Sequence, residues 1–554
     1  MTAPESQLST IFSQVYNNDF SRSRLRNALQ ATTDADGNVV CQSVVDGTDP
    51  ACAVYNPFQG PGIIAGTDPR DGITQAAIDY VNIPLLSKGE VEEVVVQGYI
   101  AGDLVSIGNA SPIGFVLGAE YREELISTRN DVSFRTQDGA GQGSPQLDVD
   151  GRFDVKEVFG ELRIPIIEDG FVDLLALELG YRYSDYSTGT STDTYKIIGE
   201  FAPVYWAKFR GGYNRAVRAP NILNLFAPNR VALFGGTDPC AVDPTDPDDT
   251  PSASPQECVN LGVPLDRYGS VVESPAGQYN QFIGGNPNSQ PEKADTYTVG
   301  VVLEPDAFLP GFVLAVDYYN ISIENAISTL GAQTILDQCA ATGDAFYCDL
   351  VQRSPGSLSL WTGSGNVINT TRNIGGFDTS GVDISASYNR SIGAGRLALS
   401  FNGTWTDEYA FDTGIPTATT DGIGDCVGYH GNVCGTPVPE WRHQARIGYT
   451  FDFGFGASVR WRHFGSVDWD QTSTDGDVGT GAAASVGDIG SQDYFDLTLS
   501  YDLDPVMLRL GVNNIFDKEP PIIAGNYGGT NGNTYVETYD PVGRRIFVSA
   551  TLQF

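Results

Sequence analysis

Eight cysteines stand in four close pairs: Cys41 with Cys52, Cys240 with Cys258, Cys339 with Cys348, and Cys426 with Cys434. None makes a C-x-x-C unit, and the only histidines are His430, His443 and His463, so the spacing of a zinc site is lacking. Even, local cysteines among Gly, Asp and Pro read as loop disulfides of an oxidising compartment, with neighbour pairing the simplest of several connectivities. Asp243, Asp246, Asp248 and Asp249 offer the oxygen ligands that Ca²⁺ takes, but Pro244 and Pro247 break an EF-hand spacing, and a solvated loop is the simpler reading. The Gly-rich segment 139–143 has no helix pattern after it to cradle a phosphate. There is no G-x-S-x-G elbow, no H-E-x-x-H and no Walker loop. The expectation is a protein that is not an enzyme and uses no cofactor.

Basic residues carry the other candidate chemistry. Lys208, Arg210, Arg442, Arg446, Arg460 and Arg462 alternate with apolar neighbours. In a strand such residues share one face. If the greasy face meets lipid, the basic face lines a lumen. There the cations could hold an anionic substrate or pair with carboxylates of whatever fills the lumen; more simply, they form an ion-pair ladder with Glu161, Glu178 and Glu200. Trp206, Phe209, Tyr213, Tyr449 and Trp461 then read as an interfacial girdle. In the long connections, Tyr279, Phe346, Tyr347 and Trp361 are candidates for stacking on a ligand.

The elements that position these residues are strands. Among 554 residues there are 64 Gly, 26 Tyr and 27 Phe but only 2 Met, a balance suited to strands, turns and aromatic belts. A net charge of −37 repels phosphate backbones and argues against nucleic acid. No stretch reaches the roughly 18 apolar residues of a spanning helix, whereas alternating transmembrane strands average to weak hydropathy. Alternation is clear where Phe495, Leu497, Leu499, Tyr501 and Leu503 oppose Asp496, Thr498, Ser500 and Asp502. About fifteen such strands fit between residue 91 and the C-terminus, the last running from 544 to Phe554.

Connections alternate in length. Short ones fall at 168–170, 203–204, 393–395, 452–454 and 504–505; long ones at 129–150, 221–291, 328–364, 413–437, 471–490 and 522–543. Outer-membrane barrels sort their loops this way, with short periplasmic turns and long extracellular loops. Every cysteine of the stranded region lies in a long connection. A soluble propeller would show a repeat of roughly 40–50 residues, and none is present. The fold class expected is all-β, a transmembrane antiparallel β-barrel with long extracellular loops.

Several segments resemble the TonB-dependent receptors of bacterial outer membranes. Arg218-Ala219-Pro220, preceded by Arg215 and followed by Asn221, is similar to the family's "FRAP" segment. Asn286-Pro287-Asn288 with Pro291-Glu292-Lys293 is similar to its "NPxLxPEKs" motif, and Gly381-Val382-Asp383 to its "GxD" strand. Asn513-Asn514-Ile515-Phe516-Asp517-Lys518 resembles the "VxNLFDK" segment of the penultimate strand. The resemblance implies a 22-stranded barrel around a plug, of which residues 91–554 would supply the last fifteen or so strands. Residues 1–90 would be extracellular loop and a remnant of a preceding strand. Because Met1 starts neither a signal peptide nor a plug with a TonB box, a fragment is expected. The resemblance further implies energised uptake of a scarce ligand (a siderophore, a cobalamin-like compound or an oligosaccharide) by an integral outer-membrane monomer. Its partners would be lipid, the TonB–ExbB–ExbD complex and the barrel-assembly machinery. The alternative is a passive porin.

Overall fold

The structure is a computed structural model, and it describes residues 5–58, 66–141, 144–415, 420–483, 487–523 and 533–552. Its main body is one antiparallel sheet of sixteen strands. In chain order these are β1 (Glu5–Phe20), β2 (Asn82–Ser106), β3 (Pro112–Asn130), β4 (Val149–Glu168), β5 (Leu174–Tyr186), β6 (Ser191–Val204), β7 (Ala207–Arg218) and β8 (Glu292–Leu303). Then come β9 (Phe312–Glu324), β10 (Gly376–Ser391), β11 (Gly395–Asp412), β12 (Trp441–Phe451), β13 (Phe455–Phe464), β14 (Gln492–Asp502), β15 (Val506–Asn513) and β16 (Arg545–Leu552). Each strand pairs with its successor. This meander is the wall of a transmembrane β-barrel. Among the described residues no helix is long and apolar enough to cross a membrane.

All fifteen expected strands are present, and β1 adds a sixteenth. The sequence hid it because Leu8, Ile11, Phe12, Val15 and Tyr16 are spaced three and four apart and blur the period of two. Pairing decides the matter: β1 runs alongside β2 from Glu5↔Val96 to Phe20↔Asn82. The ring of Phe12 lies over Gly89, where any side chain would collide with it. A division at residue 90 falls inside β2. Phe554 lies outside the described residues, as do 142–143 of the Gly-rich segment.

The two faces of the wall are written in the register. Leu399, Ile447, Val459, Leu497, Val512 and Ile546 lie side by side across β11 to β16. One position along, Ser400, Arg446, Arg460 and Asp496 line the opposite face. Period-two alternation therefore yields an apolar outer face and a polar inner one. Aromatic contacts on the outer face support a girdle: Phe201 stacks on Phe209 and Trp461 on Phe495, while in the short turns Trp206 meets Phe308 edge-on at 6.2 Å.

Connections at one end of the wall are brief, such as 169–173, 205–206, 392–394, 452–454 and 503–505. At the other end lie 21–81, 131–148, 219–291, 325–375, 413–440, 465–491 and 514–544, with only 187–190 short. All four disulfides are at the long-loop end: Cys41–Cys52, Cys240–Cys258, Cys339–Cys348 and Cys426–Cys434.

These loops have cores of their own. Segments 219–291 and 325–375 share a four-stranded sheet built from Arg230–Gly235, Gln278–Ile283, Asn366–Ile368 and Val351–Gln352. Leu261, Val271, Tyr279, Ile335, Leu336 and Leu360 are buried within the unit. Arg353 is buried there with Asp238, at 2.7 and 2.9 Å, and gives further bonds to the carbonyls of Leu261 and Leu358. A second core joins Val467, Ile489, Ile523, Tyr535 and Tyr539 to Tyr494 at the head of β14.

Candidate substrate site in the inner wall

The six basic residues singled out in the sequence lie on β7, β12 and β13, and the register puts all of them on the inner face. Four have acidic partners. Lys208 reaches Glu200 at 3.2 Å. Arg210 makes a two-point pair with Asp317. Arg460 bonds Asp496 at 2.7 Å. Arg462 grips Asp496 and, at 3.0 and 2.6 Å, Asp540 of the last long loop. Glu161 and Glu178 pair instead with Lys196, at 3.4 and 2.7 Å. The ladder is thus broader than the one expected, because Asp317, Asp496 and Asp540 enter it from strands and a loop distant in sequence. Arg442 and Arg446 have no acidic partner at ion-pair distance among the described residues.

Beside Arg442 the wall is hollowed by a cavity of about 480 Å³. Two neighbouring rows of the register line it. The first runs Asp317, Asp383, Thr404, Arg442, Phe464 across β9 to β13; the second runs Ser385, Asn402, Gln444, Arg462. Thr404 donates its hydroxyl to Asp383 at 2.7 Å, and Ser385 donates to Asn402 at 3.0 Å. Arg442, Gln444 and Asp383 line the cavity with them. Gly381, of the Gly381-Val382-Asp383 motif, and Gly403 stand among the strands beside it. Substituents there would meet the Tyr319 and Trp441 rings, so each spares room for an aromatic neighbour.

The loop aromatics divide. Tyr279 is wholly buried and Tyr347 nearly so, both inside the loop core. They are structural, a correction to their candidacy for stacking, and the reason is that the long loops fold around their own apolar residues. Phe346 is half exposed, with the Arg372 guanidinium 5.8 Å from its ring centre. Trp361 donates its indole N–H to the Val272 carbonyl at 3.0 Å. Of the histidines, His430 is buried in the loops, while His443 and His463 stack at 5.0 Å on the outer face beside Asp493.

The motif residues meet in space. Arg218 closes β7 and forms a two-point pair, 2.5 Å on each arm, with Glu292 at the start of β8. Glu292 also accepts the Ile327 amide. Asn221 caps the following helix, Ile222–Phe226, whose Ile222 and Leu225 pack on Phe153. After β15, the backbone N–H of Asn514 bonds Asp496, and the Asn514 side chain closes a turn on Lys518. Asp517 holds Arg544 just before β16, and Phe516 meets Phe495 edge-on.

The family model of the TonB dependent receptor-like β-barrel matches residues 11–515. The chain belongs to this family. TonB-dependent receptors are receptors and transporters of the bacterial outer membrane rather than enzymes, and the family's sequence motifs here become the joints between neighbouring strands. No curated protein matches the sequence. Among solved structures, a variant of the ferric enterobactin receptor PfeA of Pseudomonas aeruginosa, bound to enterobactin, is similar with a TM-score of 0.55 and 16% identity over 90% of this chain. The siderophore receptor PirA of Acinetobacter baumannii is similar with a TM-score of 0.52 and 13% identity over 90% of the chain. At such identities the likeness is one of fold. The chain spans 58% of the length of each of these receptors.

Proposed function

We propose that the chain forms the wall and the ligand-receiving loops of an energised importer in the outer membrane. A scarce small molecule is captured at the long-loop end and passes along the inner wall. Release inward is driven by the TonB–ExbB–ExbD complex, and the barrel-assembly machinery inserts the protein as a monomer. One observation carries this reading: a polar, ion-paired inner wall ends on one side only in loops with their own disulfide-pinned cores. A passive porin has no use for so large a folded receptor surface. The structural neighbours named for ferric enterobactin and siderophore reception support an import role. Four of the six inner-wall cations, Lys208, Arg210, Arg460 and Arg462, act as the ladder that keeps the wall rigid, with Arg442 and Arg446 left to meet whatever enters the lumen.

The test is uptake by cells carrying the gene, with and without functional TonB, using labelled ferric enterobactin, cyanocobalamin and maltotriose as probes. Accumulation of one of them that requires TonB supports the proposal. Uptake that is equal without TonB, scaling with solute size alone, replaces it with a porin. No uptake of any probe also overturns it.

A further inference from the structure

Resting on the import reading, we propose that the inner-wall cavity beside Arg442 is a subsite for a neutral, polyhydroxylated ligand, a short oligosaccharide, rather than for a polyanionic metal chelate.

Charge is the first argument. The ionised side chains lining the cavity are two carboxylates, Asp317 and Asp383, and two guanidinium groups, Arg442 and Arg462. Asp317 is already satisfied by Arg210, and Arg462 by Asp496 and Asp540. What remains is Asp383 and Arg442, one of each sign, flanking Thr404 on adjacent strands. A multiply charged anion entering here would gain one cation and face one carboxylate. It would also approach a chain of net charge −37, whose field disfavours anions at long range.

Hydrogen-bonding capacity is the second. Asp383, Asn402, Thr404, Arg442 and Gln444 present carboxylate, amide, hydroxyl and guanidinium groups in two rows. Strands lie about 4.8 Å apart, so donors and acceptors alternate over a span that adjacent ring hydroxyls can bridge. Planar groups such as these bind paired hydroxyls through two bonds at once, and each hydroxyl is both donor and acceptor. Phe464, whose ring meets Tyr539 edge-on at 6.1 Å, adds an apolar residue to the lining, of the kind that the C–H face of a sugar packs on. A volume of about 480 Å³ lies within the usual range for small-molecule sites.

Calorimetric titration of the detergent-solubilised full chain tests the assignment, with maltotriose, cellotriose, xylotriose and ferric enterobactin as probes. At least one neutral trisaccharide should bind. Gln444→Leu and Thr404→Val should each weaken it by about tenfold, the loss of one hydrogen bond in an otherwise desolvated contact. Arg509→Gln, on the inner face near the short-turn end of β15, should leave it unchanged. Binding of no trisaccharide, or binding indifferent to both substitutions, overturns the proposal, as does binding of ferric enterobactin alone that is lost in Arg442→Gln. The two readings fail separately. TonB-dependent uptake of the chelate without saccharide binding sinks this subsite and leaves import standing. Saccharide binding without TonB-dependent uptake does the reverse.

Discussion

Arg210 on β7 and Asp317 on β9 form a two-point ion pair across an intervening strand, Nε and Nη2 each 2.7 Å from a carboxylate oxygen. The residue between them in the register is Gly300 of β8. A Cβ there would strike the Asp317 carboxylate and come within 2.9 Å of the Val316 carbonyl oxygen. Glycine is what lets a side chain of one strand reach the strand after next.

Gly300→Val should therefore break the pair and strain β8 against β9, at a cost of about 1–3 kcal/mol. Arg210→Gln, which removes the pair without the clash, should cost less than half as much. The temperature at which the folded barrel converts to its slower-migrating unfolded form on a gel ranks the two. Equal shifts would mean that Gly300 is not the spacer.

The loop unit depends on Arg353. Replacing it with Met leaves the buried Asp238 without its cation, holding only the Cys240 N–H, which costs about 3–5 kcal/mol, whereas Arg353→Met with Asp238→Leu should recover most of the loss. Limited proteolysis within 219–291 and 325–375 reads the effect. Strand content by circular dichroism should not change in either variant, because the wall has its own ladder of hydrogen bonds.

Reduction is expected to act on the loops alone. The four disulfides span sequence separations of 8 to 18, so each restrains its loop by about 2.5–3 kcal/mol on the chain-entropy account. Mild reductant should expose eight thiols and speed loop cleavage while the barrel stays folded. Loss of the sheet under the same conditions would contradict the separation of loop and wall.

Acid should loosen the loops through His430. Its Nε2 lies 2.7 Å from the Gly487 carbonyl, which only accepts, so Nε2 carries the proton and Nδ1 accepts the Tyr535 hydroxyl at 3.1 Å. Burial pulls the imidazole pKa down, against an opposing pull from the hydrogen bond to the Gly487 carbonyl and from Asp470, Asp488 and Asp468. Burial likewise pushes Tyr535 up to about 12, so it stays a donor. With the folded value lowered, the unfolded loop takes a proton first. The stabilisation is whole above the unfolded pKa of about 6.5 and is lost as pH falls below it. Protease cleavage in 413–440 should accelerate between about pH 7 and pH 5, and His430→Gln should flatten that profile.

The faces of the wall can be checked from within the bilayer. Every native cysteine is paired, so a single introduced cysteine reports alone. At Leu508 or Leu510, both on the exposed outer row, it should react with a lipid-borne probe; at Arg509 or Ser500 it should not. The reverse pattern would turn the wall inside out.

Alternation is a local property, since two successive residues of a strand must point to opposite sides whatever the rest of the chain does. For that reason the strands from β2 to β16, their outer and inner faces, the sorting of loops by length and the loop cysteines were all legible in sequence. The segments Arg218-Ala219-Pro220 and Asn513-Asn514 marked the family by the same kind of local pattern. Tertiary structure alone decided the rest. It enrolled Glu5–Phe20 as a strand by pairing it with β2, against its own three-and-four spacing. It matched Arg210 to Asp317, Arg462 to Asp540 and Arg218 to Glu292, partners that only the register brings together. It also turned Tyr279 from an apparent ligand platform into the centre of a loop core, because a long loop with enough apolar residues buries them against itself. Pairing across strands and docking between loops are relations between distant parts of the chain, and no local spacing encodes them.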